Sequence, residues 1–188
     1  HVKKFPLSGV VLHIGTRNLD KKTRDLEETL EIIVKNIVDL YNYDKGDLGC
    51  LFIENCAGEG SKVPRFLDEI SYIIKRLEEL KMNKKVKICI DTCHLFAAGE
   101  FDISKPEEIL RFKKEFSEKI GLKYLKLIHL NDSKDKFGSR KDRHEIIGEG
   151  YIWKNKESLR TFFKSFPKIP YVCETSDYEK SLAYIRSL

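Results

Sequence analysis

Imidazole and carboxylate side chains recur along this 188-residue chain at a nearly even spacing. Intervals of 41, 37, 38 and 45 residues separate His13, Glu54, Asp91, His129 and Glu174. Such groups, converging in a protein interior, would repel one another and lose their hydration unless metal cations neutralised them. Nitrogen and carboxylate ligands without thiolates suit zinc or manganese, with open positions for water and a substrate. The five residues therefore predict a metal site.

Two short clusters add ligands of the same kinds. Asp91 and His94 stand three residues apart in CIDTCHLFAAGE, where a strand end turns into a loop, and Asp142 and His144 stand two apart in KDRHEIIGEG. Taken alone, His94 could equally be a packed core histidine, and Asp142 and His144 an exposed loop pair. Four of the five histidines nevertheless fall among the candidates, which number eight and are enough for two or three metals. Clustered metals favour phosphoester hydrolysis, because they stabilise both the attacking and the leaving oxygen.

A basic segment lies directly beside these ligands. Residues 134–143, KDKFGSRKDR, hold five basic and two acidic side chains. An ordinary solvated loop is one interpretation, and a phosphate-binding loop is the other, favoured by the neighbouring ligands. The candidate DNA-binding residues are Lys134, Lys136, Ser139, Arg140 and Arg143. The glycine-rich segment NCAGEGS, residues 55–61, could also let a phosphate backbone approach closely.

Alternating strands and helices must position these residues. Short β-branched runs predict strands over 9–14, 50–55, 86–91, 124–130 and 170–175, and apolar residues at helical spacing predict helices over 26–38, 63–77, 106–120, 156–166 and 178–187. Such an alternation favours an all-parallel α/β sheet, because parallel strands need helical crossovers. One imidazole or carboxylate then falls at the C-terminal end of each strand, the edge where α/β proteins build active sites.

Composition narrows the class of protein. The chain has a net charge of +5 and is 41% hydrophobic and 35% charged, which excludes a disordered tail and is typical of one globular domain. No apolar run suits a membrane helix, and no signal-peptide pattern opens the chain. The five cysteines are odd in number and form no CxxC pair. Free thiols in a reducing compartment, cytoplasmic or nuclear, are therefore expected.

Four motifs resemble the endonuclease IV family of apurinic/apyrimidinic endonucleases, and the resemblance spans essentially the whole chain. They are IENCAGEGS, CIDTCHLFAAGE, HLNDSKDKFGSRKDRHEIIGEG and YVCET. The resemblance implies a TIM-type (β/α)8 barrel and three Zn²⁺ ions, with Mn²⁺ acceptable at one position. It also implies a monomer that flips the damaged nucleotide out of double-stranded DNA and incises on the 5′ side of an abasic site. Removal of 3′-blocking groups is a related activity of the family.

The resemblance also assigns roles to the candidate ligands. Glu54 would bridge two zinc ions, with His13 on the first. The second zinc would be completed by Asp91, His129 and Glu174, and the third would be held by His94, Asp142 and His144. Glu54 and Glu174 are the expected catalytic residues, since Glu174 would also orient the attacking water.

The chain departs from the family pattern in its number of units. The family has five ligand histidines and eight strand–helix units, whereas about five units are predicted here, and His1 is too near His13 to supply the missing ligand. We therefore expect residues 1–188 to form one domain, the C-terminal part of such a barrel. Alone, it should hold at most two metals tightly and show little incision.

Two rival interpretations remain open at the level of sequence. A set of Glu54, Asp91, His129 and Glu174 resembles the single-metal site of sugar isomerases and epimerases that share this barrel. The additional ligands and the basic segment favour the nuclease, because a one-metal isomerase needs neither. The third interpretation is a barrel fragment that binds DNA or another partner without catalysis.

Overall fold

The computed structural model describes residues 9–17, 25–44 and 49–188. Strands in these ranges are β1 (Gly9–Leu12), β2 (Gly15–Thr16), β3 (Cys50–Glu54), β4 (Lys62–Val63), β5 (Val86–Asp91), β6 (Leu125–His129), β7 (Asp132–Ser133), β8 (His144–Glu145) and β9 (Tyr171–Val172). Helices are α1 (Leu26–Asp44), α2 (Leu67–Glu79), α3 (Thr92–Ala98), α4 (Pro106–Lys119), α5 (Lys156–Ser165) and α6 (Tyr178–Arg186). His1 lies outside the described residues.

The predicted strands form one parallel sheet in the order β1-β3-β5-β6-β9. Each connection contains a helix, as parallel pairing requires. The register pairs Asp91 with His129 across β5 and β6, so ligand candidates from different strands stand at one level. The all-parallel arrangement expected from the alternation of strands and helices is confirmed.

Alternation along the strands separates the two faces of this sheet. Ile53, Ile90 and Ile128 are fully buried and belong to the core shared with the helices. Glu54, Asp91 and His129 follow them by one residue, so their side chains point to the opposite face. The packed helices thus fix the strands from one side, and the other side carries the polar groups.

Three local features differ from the sequence predictions. The helix expected from Val63 begins only at Leu67, because Val63 pairs with Gly15 in an antiparallel ladder and Pro64 disfavours helical geometry in the residue before it. The loop expected after Asp91 is the helix α3. The polar loop after β6 contains β7 and β8, which pair antiparallel. Within the described ranges, no helix combines the length and apolarity needed to cross a bilayer.

Candidate metal centre

Glu54 lies at the middle of the candidate centre. It is the last residue of β3, and its carboxylate is only 6% exposed. Glu54 Oε2 lies 3.5 Å from His13 Nε2, whereas Oε1 lies 2.9 Å from His129 Nδ1 and 3.7 Å from His94 Nδ1. One carboxylate therefore contacts imidazoles from three segments, which is the placement that a bridging ligand requires.

One four-residue group combines the ends of four parallel strands. Glu54, Asp91, His129 and Glu174 each offer a ligand atom within 4.8 Å of the others. The nitrogen Nδ1 of His129 lies 3.1 Å from Glu174 Oε2 and 4.0 Å from Asp91 Oδ2. These residues were predicted from their positions at strand ends, and the structure brings them together.

A second group joins α3 to the strand β8. His94, Asp142 and His144 offer ligand atoms within the same 4.8 Å limit. Asp142 Oδ1 lies 2.9 Å from His94 Nε2 and 3.3 Å from His144 Nε2. A third group, His13, Glu54 and His94, places the edge strand β1 beside these two. All eight ligand candidates from the sequence thus lie in one cluster.

His94 provides the clearest test of whether this donor set fits a cation. Its Nε2 is buried and makes no hydrogen bond within the described ranges, although Asp142 Oδ1 is 2.9 Å away. Its other nitrogen, Nδ1, lies 2.9 Å from the carbonyl oxygen of Asn55. A metal-bound histidine typically donates one ring N–H to such a carbonyl and keeps the other nitrogen for the ion. The residues present therefore fit a metal ion, and the donor set of imidazoles and carboxylates suits a divalent one.

The electrostatics of the cluster also favour positive charge. Burial lowers the pKa of His94, but the carboxylates of Asp91, Asp142 and Glu54 outweigh burial and raise this pKa to about 10. Burial likewise lowers the pKa of His144, and Asp142 outweighs it, so that this pKa is also raised. The imidazoles of His144 and His94 hold the pKa of Asp142 well below its usual range. Closely spaced carboxylates thus stabilise cations at this edge of the sheet.

Sequence reasoning missed the neutral side chains that hold the ligands in place. Asn55 follows Glu54 directly, and its carboxamide accepts a hydrogen bond from Asp91 N (2.8 Å) and donates to Asp91 O (3.2 Å). Cys56 Sγ lies 3.5 Å from His13 Nδ1. Asn131, two residues after His129, contacts two carboxylates of the cluster. An asparagine or cysteine beside a ligand is common, so only its contacts reveal this role.

The basic segment 134–143 is tied to the helix α3. Gly138 N donates to Phe96 O (3.2 Å), and Arg140 N donates to Ala97 O (2.9 Å). The rings of Phe96 and Phe137 meet edge to face, 5.4 Å between centroids. Because α3 carries His94 and the segment carries Asp142, the predicted phosphate-binding loop and the candidate metal ligands form one structural unit.

The five DNA-binding candidates differ in their contacts within this loop. Arg143 pairs through Nε and Nη2 with both oxygens of Asp135, each at 2.6 Å. Lys134, Lys136 and Arg140 are exposed, and Ser139 is half-buried. The glycine-rich segment, at 55–61, is anchored separately, since Thr16 Oγ1 and Ser61 Oγ lie 2.8 Å apart. The loop thus presents several cations beside the cluster, and two of them, Arg143 and Lys141, already have Asp135 as a carboxylate partner.

Comparison with known proteins fixes the family. Residues 5–188 match the xylose isomerase-like TIM barrel family. The chain belongs to this family. It is 42% identical over 183 residues to a protein of Carboxydothermus hydrogenoformans named "Probable endonuclease 4", and the match covers 95% of this chain and 60% of that protein. The chain therefore spans less than two thirds of the length of that relative.

Two solved structures have a fold similar to that of this chain. The structure of endonuclease IV from Thermus thermophilus aligns with a TM-score of 0.75 at 22% identity, covering 99% of this chain and 62% of the other. A D-tagatose 3-epimerase-like protein aligns with a TM-score of 0.67 at 16% identity, covering 96% and 60%. The barrel fold and the resemblance to the metal-dependent endonuclease IV family are thereby confirmed. Fold alone does not distinguish nuclease from epimerase, since both align.

Proposed function

We propose that the protein carrying this chain is a zinc-dependent endonuclease of DNA base-excision repair. It would hydrolyse the phosphodiester on the 5′ side of an abasic site, leaving a 3′-hydroxyl and a 5′-deoxyribose phosphate, and would also remove 3′-blocking groups. The 42% identical relative, named "Probable endonuclease 4", supports this proposal. Because the chain spans 60% of that relative, the proposed activity belongs to the complete protein.

The observation that carries the proposal is the second set of donors around Glu54. The group of Glu54, Asp91, His129 and Glu174 would suffice for a single-metal isomerase. The group of His94, Asp142 and His144 stands directly beside it and shares none of its members. A neutral sugar needs no such addition, whereas a phosphodiester carries a negative charge that several cations stabilise.

Each candidate ligand receives a role in this proposal. Glu54 would bridge two zinc ions, with His13 on the first, and Mn²⁺ could replace zinc at one position. The second ion would be completed by Asp91, His129 and Glu174, and the third held by His94, Asp142 and His144. When bound, the ions would supply Lewis acidity for water activation and for the charge on the leaving oxygen.

Glu174 is the residue best placed to orient the attacking water. Its side chain is 45% exposed in this chain, whereas that of Glu54 is 6% exposed, which supports a role for Glu174 in binding water. In the reaction, the water oxygen bonds to phosphorus as the bond from phosphorus to the 3′ oxygen breaks. Glu174 would therefore position that water in addition to completing the second ion, whereas the buried Glu54 and Asp91 would only hold cations.

The basic segment 134–143 would bind the DNA backbone next to the site. Lys134, Lys136 and Arg140 present exposed charges, and Ser139 adds a hydroxyl group, beside Asp142 and the other ligands. Phosphate contacts of this kind position the duplex without reading its sequence. Arg143 would contribute through its pairing with Asp135, which orders the loop.

We further propose that residues 1–188 are one domain, the C-terminal part of a barrel, and that the complete protein acts as a monomer. The five parallel strands of the described residues support this proposal, as does the 60% coverage of the Carboxydothermus relative. All five cysteines are free thiols. We accordingly place the protein in a reducing compartment, the cytoplasm or the nucleus.

The decisive experiment is incision of a synthetic duplex with one abasic site. The complete protein, loaded with zinc, should cut on the 5′ side, and Glu54→Gln should lose at least about a hundredfold in rate, because removing one preorganised charge contact costs several kcal/mol. Glu179→Gln is the matched control, since Glu179 lies in the exposed first turn of α6 and is expected to leave incision unchanged.

Three outcomes would contradict the proposal. Intact abasic DNA with a metal-loaded, folded protein would exclude the nuclease. Interconversion of a ketose and its epimer with no incision would favour the isomerase instead. Full incision by Glu54→Gln would remove the bridging role from Glu54.

A further inference from the structure

Asn131 is a buried amide at the junction of three strands. It follows β6 by two residues and is fully buried. Its Nδ2 donates to Asp91 Oδ2 at 2.6 Å and to Glu174 Oε2 at 3.2 Å. Asp91 ends β5, and Glu174 lies two residues after β9, so this one amide group connects carboxylates from the strands on either side of β6.

The orientation of the Asn131 carboxamide is fixed by its partners. Its Oδ1 accepts a hydrogen bond from Glu174 N at 2.8 Å. A flipped amide would place NH₂ against this N–H and its oxygen against two carboxylates, which is unfavourable at both ends. The main chain is equally constrained, because Asn131 O accepts from Trp153 Nε1 (3.0 Å) and from Thr92 Oγ1 (2.6 Å).

Asp91 is held at both carboxylate oxygens as a consequence. Its Oδ1 accepts from the main-chain N–H of His94 at 2.9 Å, and its Oδ2 accepts from Asn131. The same Nδ2 of Asn131 lies 3.4 Å from His144 Nε2. Asn131 therefore touches members of both donor groups without belonging to either.

We infer that Asn131 is a positioning residue that sets the separation and orientation of Asp91 and Glu174 for the second metal ion. The inference rests on the proposed metal-dependent function. A neutral amide suits this place, since its two N–H groups draw two carboxylates together without adding charge to the site. A charged donor would compete with the metal for them, and an apolar residue would leave them to repel each other.

Metal affinity tests this inference without relying on catalysis. Asn131→Ala should lower the affinity for one bound zinc ion by about 10–100-fold, the usual effect of losing an outer hydrogen bond to a metal ligand. Competition with a chromophoric chelator gives this affinity, and the visible spectrum of the Co²⁺-loaded protein should change with it. In incision assays kcat should fall, and KM should stay nearly unchanged, because Asn131 is fully buried and is not among the residues proposed to bind DNA.

Two further variants separate positioning from simple packing. Trp153→Phe removes the indole donor to Asn131 O together with part of a buried ring, and a folded Trp153→Phe protein should keep the wild-type Co²⁺ spectrum and zinc affinity. Asn131→Asp keeps the size of the side chain but loses its donors, so a folded Asn131→Asp protein should also change the spectrum. Wild-type spectra and affinities in either Asn131 variant would overturn the inference, as would an equal loss in Trp153→Phe. A wild-type protein that binds zinc but leaves abasic DNA intact would instead refute the proposed function alone.

Discussion

Asp132 shows how much structure one buried side chain can organise. Its carboxylate has no solvent exposure. The two oxygens accept hydrogen bonds from five main-chain N–H groups, those of Ser133, Gly148, Gly150, Ile152 and Trp153. A Cβ at residue 150 would lie 2.3 Å from Asp132 Oδ1, so only glycine permits this approach. The loop between β8 and α5 is therefore folded around Asp132.

Replacement of Asp132 should destabilise the protein strongly. In Asp132→Ala, five N–H groups lose their acceptor, and we expect the free energy of unfolding to fall by about 3–5 kcal/mol. Urea denaturation followed by circular dichroism measures this loss. Asp68→Asn is the control, because the Asp68 side chain is 78% exposed and pairs with Lys119 at 2.9 Å. A surface pair of this kind contributes about 1 kcal/mol or less, so similar losses in both variants would contradict the role of Asp132.

At the residue scale, the candidate metal ligands could be predicted from the sequence, but the side chains that hydrogen-bond to them could not. His13, Glu54 and Asp91 were found because a parallel sheet brings all C-terminal strand ends to one edge. Asn131 carries no such signal, since its role depends on strands that are 40 and 43 residues away along the chain. Only tertiary structure shows that its amide lies between two carboxylates.

Among the elements, α3 was the helix that sequence reasoning missed. Asp91 caps its N-terminus by accepting from His94 N, and Gly99 ends it at a φ of 86°. Both are recognised helix boundary signals, but only seven residues lie between them, too few for a clear apolar period. Longer helices such as α4 followed their pattern closely, including Pro106 at the first turn.

The loop 134–143 should bind DNA through some of its cations more than others. Arg140 has an exposed side chain with no carboxylate partner in the described residues, whereas Arg143 is held by Asp135. Arg140→Ala should therefore weaken binding to an abasic duplex and reduce the slope of log affinity against log salt by about 1. Arg143→Ala should have a smaller effect on this slope.

Fluorescence anisotropy at several salt concentrations measures both effects, with metal content as the control. The zinc content should be unchanged in Arg140→Ala, because Arg140 contributes only its main chain to the contact with Ala97. Unaltered affinity and slope in both variants would show that this loop does not bind the DNA backbone.

Glu100, at the junction of α3 and α2, makes the stability of the protein depend on pH. Its Oε2 accepts a hydrogen bond from Leu67 N, in the first turn of α2, at 3.1 Å. Burial raises the pKa of Glu100 from 4.5 to about 7, although the Leu67 N–H acts in the opposite direction. Between pH 4.5 and about pH 7, the Glu100 carboxyl keeps its proton in the folded protein but has lost it in the unfolded chain. The contribution of Glu100 to stability therefore falls as pH rises from 4.5 through 7.

Glu100→Gln removes this titration while keeping an acceptor for Leu67 N. Relative to wild type, the variant should gain on the order of 1–2 kcal/mol of stability between about pH 5 and about pH 8, after allowance for partial exposure of the group. Denaturant unfolding at the two pH values gives the difference. A difference between variant and wild type that stays constant with pH would show that the pKa of Glu100 is not raised.

At the scale of the whole molecule, the donor set spans every strand of the parallel sheet. Its members follow or end β1, β3, β5, β6 and β9, so a bound cation connects segments that are far apart in sequence. The overall order of these strands was predictable, because strand–helix alternation leaves few parallel topologies. The bounds of β9 were not predictable. The sequence predicts a strand over 170–175, but only Tyr171 and Val172 pair with β6, opposite Ile128 and His129.

Metal binding should consequently stabilise the whole fold. Each zinc ion at a free concentration about 100 times its dissociation constant should add about 2.7 kcal/mol to the free energy of unfolding. A chelator should thus lower Tm in the wild type and much less in Glu54→Gln, which is already deprived of a ligand. Scanning calorimetry with and without chelator measures the shift, and an identical Tm in both conditions would mean that the cluster holds no ion in solution.

The buried cysteines around the cluster make its exposure measurable by chemical labelling. Cys89 and Cys93 have no solvent exposure, and burial raises the pKa of both thiols, to about 12 for Cys93. An alkylating reagent reacts with thiolates, so it reaches either sulfur only when β5 and α3 separate from their neighbours. At high reagent concentration, the alkylation rate of these two residues equals the rate of that opening. At low reagent concentration, it reports the opening equilibrium. A mass spectrometer following the labelled peptides can therefore time the opening of the sheet at the strand that carries Asp91.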